Sequence, residues 1–489
     1  MRFTSRQLVL LLTLFVPLPV FAQAAATQKG REMPVTTSSA EARAFFQQGR
    51  DHYDNSEAAL AIPLFDKAIA ADGKFALAHA YRGTSDFGLD SNRKFVDRAV
   101  ELAGGASDGE RLWIQWARAQ VDGNDAGQIA ANDALLALYP DDKRVQLKVG
   151  NRLLGVGDAA RSTGYFERAL AIDPDFAAAH NQLGYARMAL GDLAGAEKAL
   201  RRAAELRPKS PNAHDSLAEL LLKMGRFDDS IASYRKALEL DPSFSSAWAG
   251  IGHGHLFRGR HAEAREAYAK SVAVSTDLAG KLWGRVWRAV SYVDEGRPGA
   301  AIAAFDELRT FADENGSPVV SAWTHLHSAW ILIEVDAVGA AAKQLDAAVA
   351  RAADPALPAP VRAGLEVAIQ RLRVMSLGKI HAFDEARALA QKNAAAAAAQ
   401  KDVAAQRWLA GVMAFTELEA GKPDAALEQA SKAVRDSPWT LYQEALAHQR
   451  KGETAEAQKE FARVAQWNQA DLGYALVRAK AMAKVGGAP

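Results

Sequence analysis

The sequence predicts an all-α solenoid of about twelve stacked helix pairs, and three observations lead there. Between Lys143 and Asp277 small residues return every 34 positions: Gly150, Gly184, Ala218 and Gly252 at one place, and Gly157, Gly191, Gly225 and Gly259 at another. Two further series keep the same register, Ala196, Ser230 and Ala264, then Ala169, Ala203, Ala237 and Ser271. Pro174, Pro208 and Pro242 close the first three copies. A unit of this length buries its apolar face only by stacking on its neighbours. An extended binding surface is therefore the expected function.

Each residue type has a mechanical reason. Small side chains let two antiparallel helices approach, and Leu183, Leu217, Ile251, Phe166, Tyr234 and Tyr268 fill the space between them. The mid-unit glycine is expected to end the first helix in a left-handed cap, and the proline to stop the second. Weaker copies extend the register both ways. The predicted order is a signal peptide at 1–24, a polar leader at 25–40 and divergent units over 41–142, with Gly104-Gly105 as a linker. Four regular units over 143–278 follow, then divergent units over 282–355, at 282–315 and 322–355. A proline-rich hinge is expected at 356–366 and further units over 367–471, at 367–400, 407–440 and 438–471. The last two overlap, so one phase is slightly off. A helix from Gln469 to Val485, within a 472–489 segment, would cap the open end, with Tyr474 and Leu476 as candidates for self-assembly. Ala394–Ala399 reads as helix, because alanine is the best helix former.

Composition narrows the function class. Lys and Arg number 59 against 58 Asp and Glu, which argues against nucleic acid as the main partner. Arg2 and Arg6, the apolar run Leu8–Phe21 and Ala22-Gln-Ala24 predict export, with cleavage after Ala22 or Ala24. The run is too short to cross a bilayer comfortably. The chain has no cysteine, which rules out a lipid-modified cysteine. With Asn315-Gly-Ser317 as the one glycosylation triplet, the reading is a bacterial periplasmic or secreted protein with no integral membrane segment after cleavage.

Chemistry is sought and not found. His253-Gly-His255 and His325-Leu-His327 place two rings about 200° apart around a helix, so neither pair shares a metal. There is no phosphate loop, no nucleophile elbow and no cysteine nucleophile. Asp215 and Glu219 share a helix face, which reads as a solvated or partner-facing acidic patch. The expectation is a non-enzyme without cofactor or metal.

The pattern resembles the tetratricopeptide repeat, on stretches such as Leu183-Gly184 with Ala196, Ala203 and Pro208. The resemblance implies a right-handed α-α superhelix whose first helices line a concave groove. The family's fourth-position Trp is present as Trp248, while Gln146, His79, His180, His214 and His325 stand elsewhere at that place, which reads as packing. Some family members clamp a terminal carboxylate with Lys, Asn and Arg. Here Leu147, Asn151, Gln182, Asp215 and Glu219 occupy those positions, so the clamp is not expected. The candidate partner-binding residues are Asn151, Asn181, Tyr185, Asp215 and Glu219 in a polar stretch, then Trp283, Trp323, Trp330 and Trp408 in an aromatic one. Two readings of those tryptophans stay open: tight packing of divergent units, or apolar anchors for a peptide or unfolded segment. The function expected is a cell-envelope scaffold holding a protein or peptide in its groove. The alternative is an enzyme or small-ligand receptor with a closed pocket near 282–355.

Overall fold

The computed structural model describes residues 32–85, 89–355, 357–434 and 437–486. The signal peptide and the first residues of the leader lie outside these. The chain divides into two compact units, Met1–Leu190 and Gly191–Pro489. The boundary is the Leu190–Gly191 turn within the regular run, not the proline-rich segment.

Unit 1 holds α1 (Ala40–Asp54), α2 (Ala58–Ala71), α3 (Ala76–Thr84), α4 (Leu89–Leu102), α5 (Asp108–Val121), α6 (Asp125–Leu138), α7 (Lys143–Gly155), α8 (Ala159–Ile172) and α9 (Ala177–Ala189). Unit 2 begins with α10 (Leu193–Leu206), α11 (Pro211–Lys223), α12 (Phe227–Leu240), α13 (Ser245–Phe257) and α14 (His261–Val274). It continues with α15 (Leu278–Asp294), α16 (Pro298–Glu314), α17 (Pro318–Glu334), α18 (Val338–Ala352), α19 (Ala359–Lys379) and α20 (Phe383–Ala399). It ends with α21 (Val403–Glu419), α22 (Pro423–Lys432), α23 (Pro438–Lys451), α24 (Thr454–Ala465) and α25 (Leu472–Lys484). No strand occurs among the described residues. The fold is an all-α helical repeat solenoid.

The in-register residues do what their size allows. Ala196, Ser230, Ala264, Ala169 and Ala237 are fully buried, and Ser230 Oγ donates to the Ala218 carbonyl at 2.7 Å, binding one helix of the pair to the other. A Cβ at Gly252 would enter the Tyr268 ring, which is how closely these helices approach. The turn glycine repeats one geometry. Gly225 has φ +75°, its N–H bonds Leu222 O at 2.9 Å, and Arg226 N–H reaches Leu221 O at 2.9 Å. Gly259 and Arg260 repeat it on Leu256 and His255. Asp336 and His381 take the same left-handed place at φ 59° and 60° without being glycine.

The fourth-position residues do something more specific than pack. His79 Nε2 meets Gly73 O at 3.2 Å, His180 Nε2 meets Pro174 O at 2.8 Å, and His214 Nε2 meets Pro208 O at 3.1 Å. Gln146 Nε2 donates to Pro140 O in the same way. Each ties a first helix to the carbonyl six residues earlier, in the loop that closes the preceding pair. His325 departs from this and pairs with Gln344 Oε1 at 2.6 Å.

Four expectations need correction. Residues 32–39 are not a free leader: Met33 is buried, its N–H donates to Asp142 Oδ2 at 2.7 Å, and Thr36 N–H donates to Glu110 Oε1 at 2.7 Å. An extended segment has unpaired N–H groups, and these acids receive them. Most of the expected hinge is the start of α19, with Pro358 as N-cap and Pro360 in the first turn, where a missing N–H costs nothing. The divergent first helices start one turn or more earlier than their register suggests: α15, α17 and α21 have 17 residues and α19 has 21, against 13 in α7, α9, α11 and α13. The overlap near 438 arises because α22 is cut to 10 residues.

The fourth correction concerns α25. It caps no open end and leaves neither Tyr474 nor Leu476 exposed. It packs on α15, α17 and α23, which are first helices of their pairs, and on α24. Leu472, Tyr474, Leu476 and Val477 join one continuous core with Phe257, Val290 and Trp439. Burying that apolar stripe within unit 2 is more favourable than leaving it at an end with one neighbour.

Candidate functional site

Three places in the two units gather groups capable of recognition. The largest is the first-helix face of unit 2. Trp283, Trp323 and Trp408 are each the sixth residue of α15, α17 and α21, so three long helices present the same side chain at the same height. They are 59 %, 36 % and 37 % exposed, the most accessible aromatic rings of the unit. Trp283 stacks on Trp287, whose ring meets His253 edge-on at 4.9 Å. Trp330 differs. It meets Trp439 edge-on at 5.8 Å, and Trp439 packs on Phe415 and donates through Nε1 to Glu334 Oε1 at 2.6 Å. Trp330 is part of the packing, whereas the other three each rest on a neighbouring side chain and keep part of the ring exposed.

Arg371 of α19 stands between the two groups, 4.7 Å from the Trp408 ring and 5.6 Å from the Trp330 ring. Burial without a carboxylate partner pushes its guanidinium down to about 10. His327 is half-buried one turn from Trp323, and desolvation of its ring, reinforced by the Arg371 charge, pushes it down to about 4.

The interior of the same face is occupied by α25. Arg478 donates to Asp294 Oδ2 at 2.9 Å and to the Phe257 carbonyl at 2.6 Å, and both side chains of the ion pair are almost wholly buried. His261 Nε2 meets the same carboxylate oxygen at 2.9 Å. Lys480 pairs with Glu334 at 3.2 Å, and the Tyr474 ring lies 5.8 Å from Phe257. An amphipathic helix with a cation at its centre is therefore held against the inner surface of unit 2.

The second place is the acidic pair of α11. Asp215 accepts from Ser246 Oγ at 3.4 Å, and burial together with the Glu219 carboxylate pushes it up to about 7. Near neutral pH the Asp215 carboxyl is therefore about half protonated.

The third place is a cavity of about 500 Å³ in unit 1, bounded by residues of α1, α3, α5, α6 and α7. Asn151 lines it with Trp113, Trp116, Asn132 and Lys148. Asn181 and Tyr185 lie on α9, Asn181 buried and Tyr185 half-buried. Sequence reading found Asn151 through its repeat position. It missed Lys148, Asn132 and Arg371, because a cation in a helix face looks solvated until the aromatic rings around it are placed. The spacing of Trp113 and Trp116, three apart on one helix, was the available signal.

The histidine pairs diverge as their spacing predicts. His253 Nδ1 meets Tyr268 Oη at 2.9 Å, and burial pushes the ring down to about 4, while His255 faces elsewhere. Among the described residues no cluster of three or more His, Asp or Glu side chains could hold a metal ion. No helix among them is long and apolar enough to cross a membrane.

Comparison with known families finds the tetratricopeptide repeat at residues 153–220 and again at 216–277. Among solved structures the chain is similar to a crystal structure of MamA, at 24 % identity and a TM-score of 0.29, over 32 % of this chain and 93 % of that one. It is also similar to Pseudomonas aeruginosa pilF, at 18 % identity and a TM-score of 0.30, over 38 % of this chain and 89 % of that one. Comparison with curated proteins finds no match. Residues 153–277 are thus tetratricopeptide repeats, set within a longer all-helical repeat protein.

Proposed function

We propose that the protein is a non-catalytic scaffold that binds a segment of a protein partner along the first-helix face of unit 2. The repeats belong to a family that is typically non-catalytic and binds proteins. The observation that carries the reading is the row formed by Trp283, Trp323 and Trp408, in phase on three successive long helices but one and left exposed. Exposed tryptophans are costly to leave in water and are favoured as binding anchors. Their exposed rings suit apolar side chains of a segment, and Arg371 beside Trp408 suits an acidic residue in it. The leading apolar run Leu8–Phe21 supports export, and a role in the cell envelope is part of the proposal.

The test places a photocrosslinking residue at 283, 323 or 408 in the full chain, with 307 on α16 as control. A discrete partner crosslinked from the three inner positions and not from 307 supports the reading. Trp283→Ala, Trp323→Ala and Trp408→Ala combined should abolish that capture and leave the helical circular dichroism unchanged. Equal capture from 307, or capture that survives the triple variant, defeats it. Fractionation of tagged full-length protein tests the export component.

A further inference from the structure

The long first helices of unit 2 carry their charges in two layers, and one of the layers is already filled. Asp294, Glu334, Glu417 and Glu419 stand in the last turn of α15, α17 and α21. Arg478 and Lys480 of α25 pair with the first two, at 2.9 Å and 3.2 Å. Arg387 and Lys379 pair with the others, at 2.7 Å and 3.6 Å. Elsewhere in α15, α17, α19 and α21 the sequence has one acid, Glu366. The docked α25 therefore shows which segment suits the acidic layer, namely an apolar stripe bearing cations. Beyond that layer, charge complementarity requires the opposite sign.

Arg371 is the cation that stands there. It is half-buried on α19, with its guanidinium 4.7 Å from the Trp408 ring of α21 and 5.6 Å from the Trp330 ring of α17. Counted from the C-terminal ends of the helices, it lies one turn closer to that end than Trp323 and Trp408. It thus stands near the gap that α19 leaves in the tryptophan row. His327, on which the Arg371 charge acts, links it to Trp323, whose ring lies 6.3 Å from the imidazole. Burial alone pushes Arg371 down to about 10, so it stays charged at neutral pH, and no carboxylate of the described residues pairs with it. A desolvated cation without an anion destabilises the free protein, and the indole contacts return only part of that loss. Packing alone would be served better by an apolar side chain of similar size.

We propose that the segment bound on the tryptophan row is acidic. A glutamate or aspartate side chain within it accepts hydrogen bonds from the Arg371 guanidinium, and apolar residues on either side of that acid lie on Trp323 and Trp408. The assignment rests on the row as the docking face and adds the sign of the partner's charge.

The probes are three acetylated and amidated peptides that share their leucines and space them with glutamate, glutamine or lysine. Each is titrated into the full chain by tryptophan fluorescence and by the anisotropy of a labelled peptide. The glutamate peptide should bind saturably, at least about tenfold more tightly than the glutamine peptide, and the lysine peptide should bind least. Arg371→Met keeps an apolar stem in place, so it should remove the preference for glutamate without weakening the glutamine peptide. It should also leave the denaturation midpoint unchanged or higher, because it removes a charge that the free protein desolvates unpaired. Equal binding of the glutamate and glutamine peptides, or no saturation by any of them up to about 1 mM, overturns the proposal. So does a preference that survives Arg371→Met, which places the anion elsewhere, or a midpoint that falls, which makes Arg371 a packing residue. A glutamine peptide with a free C-terminal carboxylate that matches the glutamate peptide overturns it in favour of a chain terminus. A single-stranded oligonucleotide that binds more tightly than the glutamate peptide overturns it in favour of nucleic acid. The peptide comparison uses the unmodified chain, so it decides the matter even if the variant does not fold. Failure of the tryptophan row itself is read separately, by the crosslinking contrast with position 307.

Discussion

The regular helices α7–α14 and the long first helices α15, α17, α19 and α21 use one repeat in two ways. In the regular run a first helix has 13 residues, glycine stands where the second helix crosses, and the rings of Phe166 and Tyr268 occupy the space a Cβ would take. In the long run Ala289, Ala329 and Ala414 hold the crossing position, fully buried, and at least one extra turn is added at the N-terminal end. The added turn leaves the crossing and the cap unchanged. It lengthens the inner face, and there Trp283, Trp323, Trp408 and the docked α25 are found. Close approach thus serves stacking, while length serves surface.

The strongest test of that contrast removes the contact that fastens α25 to the long helices. Arg478→Met leaves Asp294 buried with His261 as its remaining partner and should cost unit 2 about 3–5 kcal/mol, read by urea denaturation. Combining it with Asp294→Leu should recover much of the loss, since an apolar replacement of the whole pair is tolerated. An undiminished midpoint in the single variant would mean that α25 contributes little to the face.

Next in size is the crossing itself. Gly252→Ala forces the Tyr268 ring to move and should cost about 1–3 kcal/mol by thermal or chemical denaturation. A loss within about 0.5 kcal/mol would show that the regular run is not set by close approach.

Asp215 gives the regular run a pH dependence. Its folded value of about 7 lies above the unfolded value near 3.8, so its contribution is fully present below pH 4. It is lost as pH rises through about 7, by about 1–2 kcal/mol at this partly exposed site. Asp215→Asn should flatten that slope in a pH series of denaturation midpoints.

The smallest effect is a gain. His381 holds a left-handed conformation at the turn where Gly157 or Gly421 stands in other pairs. His381→Gly should stabilise the α19–α20 turn by about 0.5–1 kcal/mol, and a loss would reveal a role for its ring against Phe383.

Much of the architecture was legible because repeat packing is local in sequence. A glycine that ends a helix and an alanine at a crossing act on neighbours about 12 to 34 residues away, so period alone predicts an all-α stack and the phase of each pair. The same periodicity identified the fourth-position histidines, although their bond to the preceding loop carbonyl required coordinates. Register placed Asn151 and the tryptophans on first helices for the same reason, and left their exposure open. What register could not separate was Trp330 from Trp408, since both are tryptophans on first helices, and Trp439 covers one of them from 109 residues away in sequence.

Sequence by itself therefore determined the helices, their caps and the small residues that let them stack. Tertiary structure decided three things. It drew residues 32–39 onto Glu110 and Asp142, folded α25 against helices up to about 200 residues earlier, and laid Lys148 over the indoles of Trp113 and Trp116. The physical reason is the range of the forces involved. Helix propensity, capping and repeat stacking act between near neighbours and leave a period. Burial of an apolar stripe or a single ion pair depends on which distant surfaces meet, and it leaves no periodic mark.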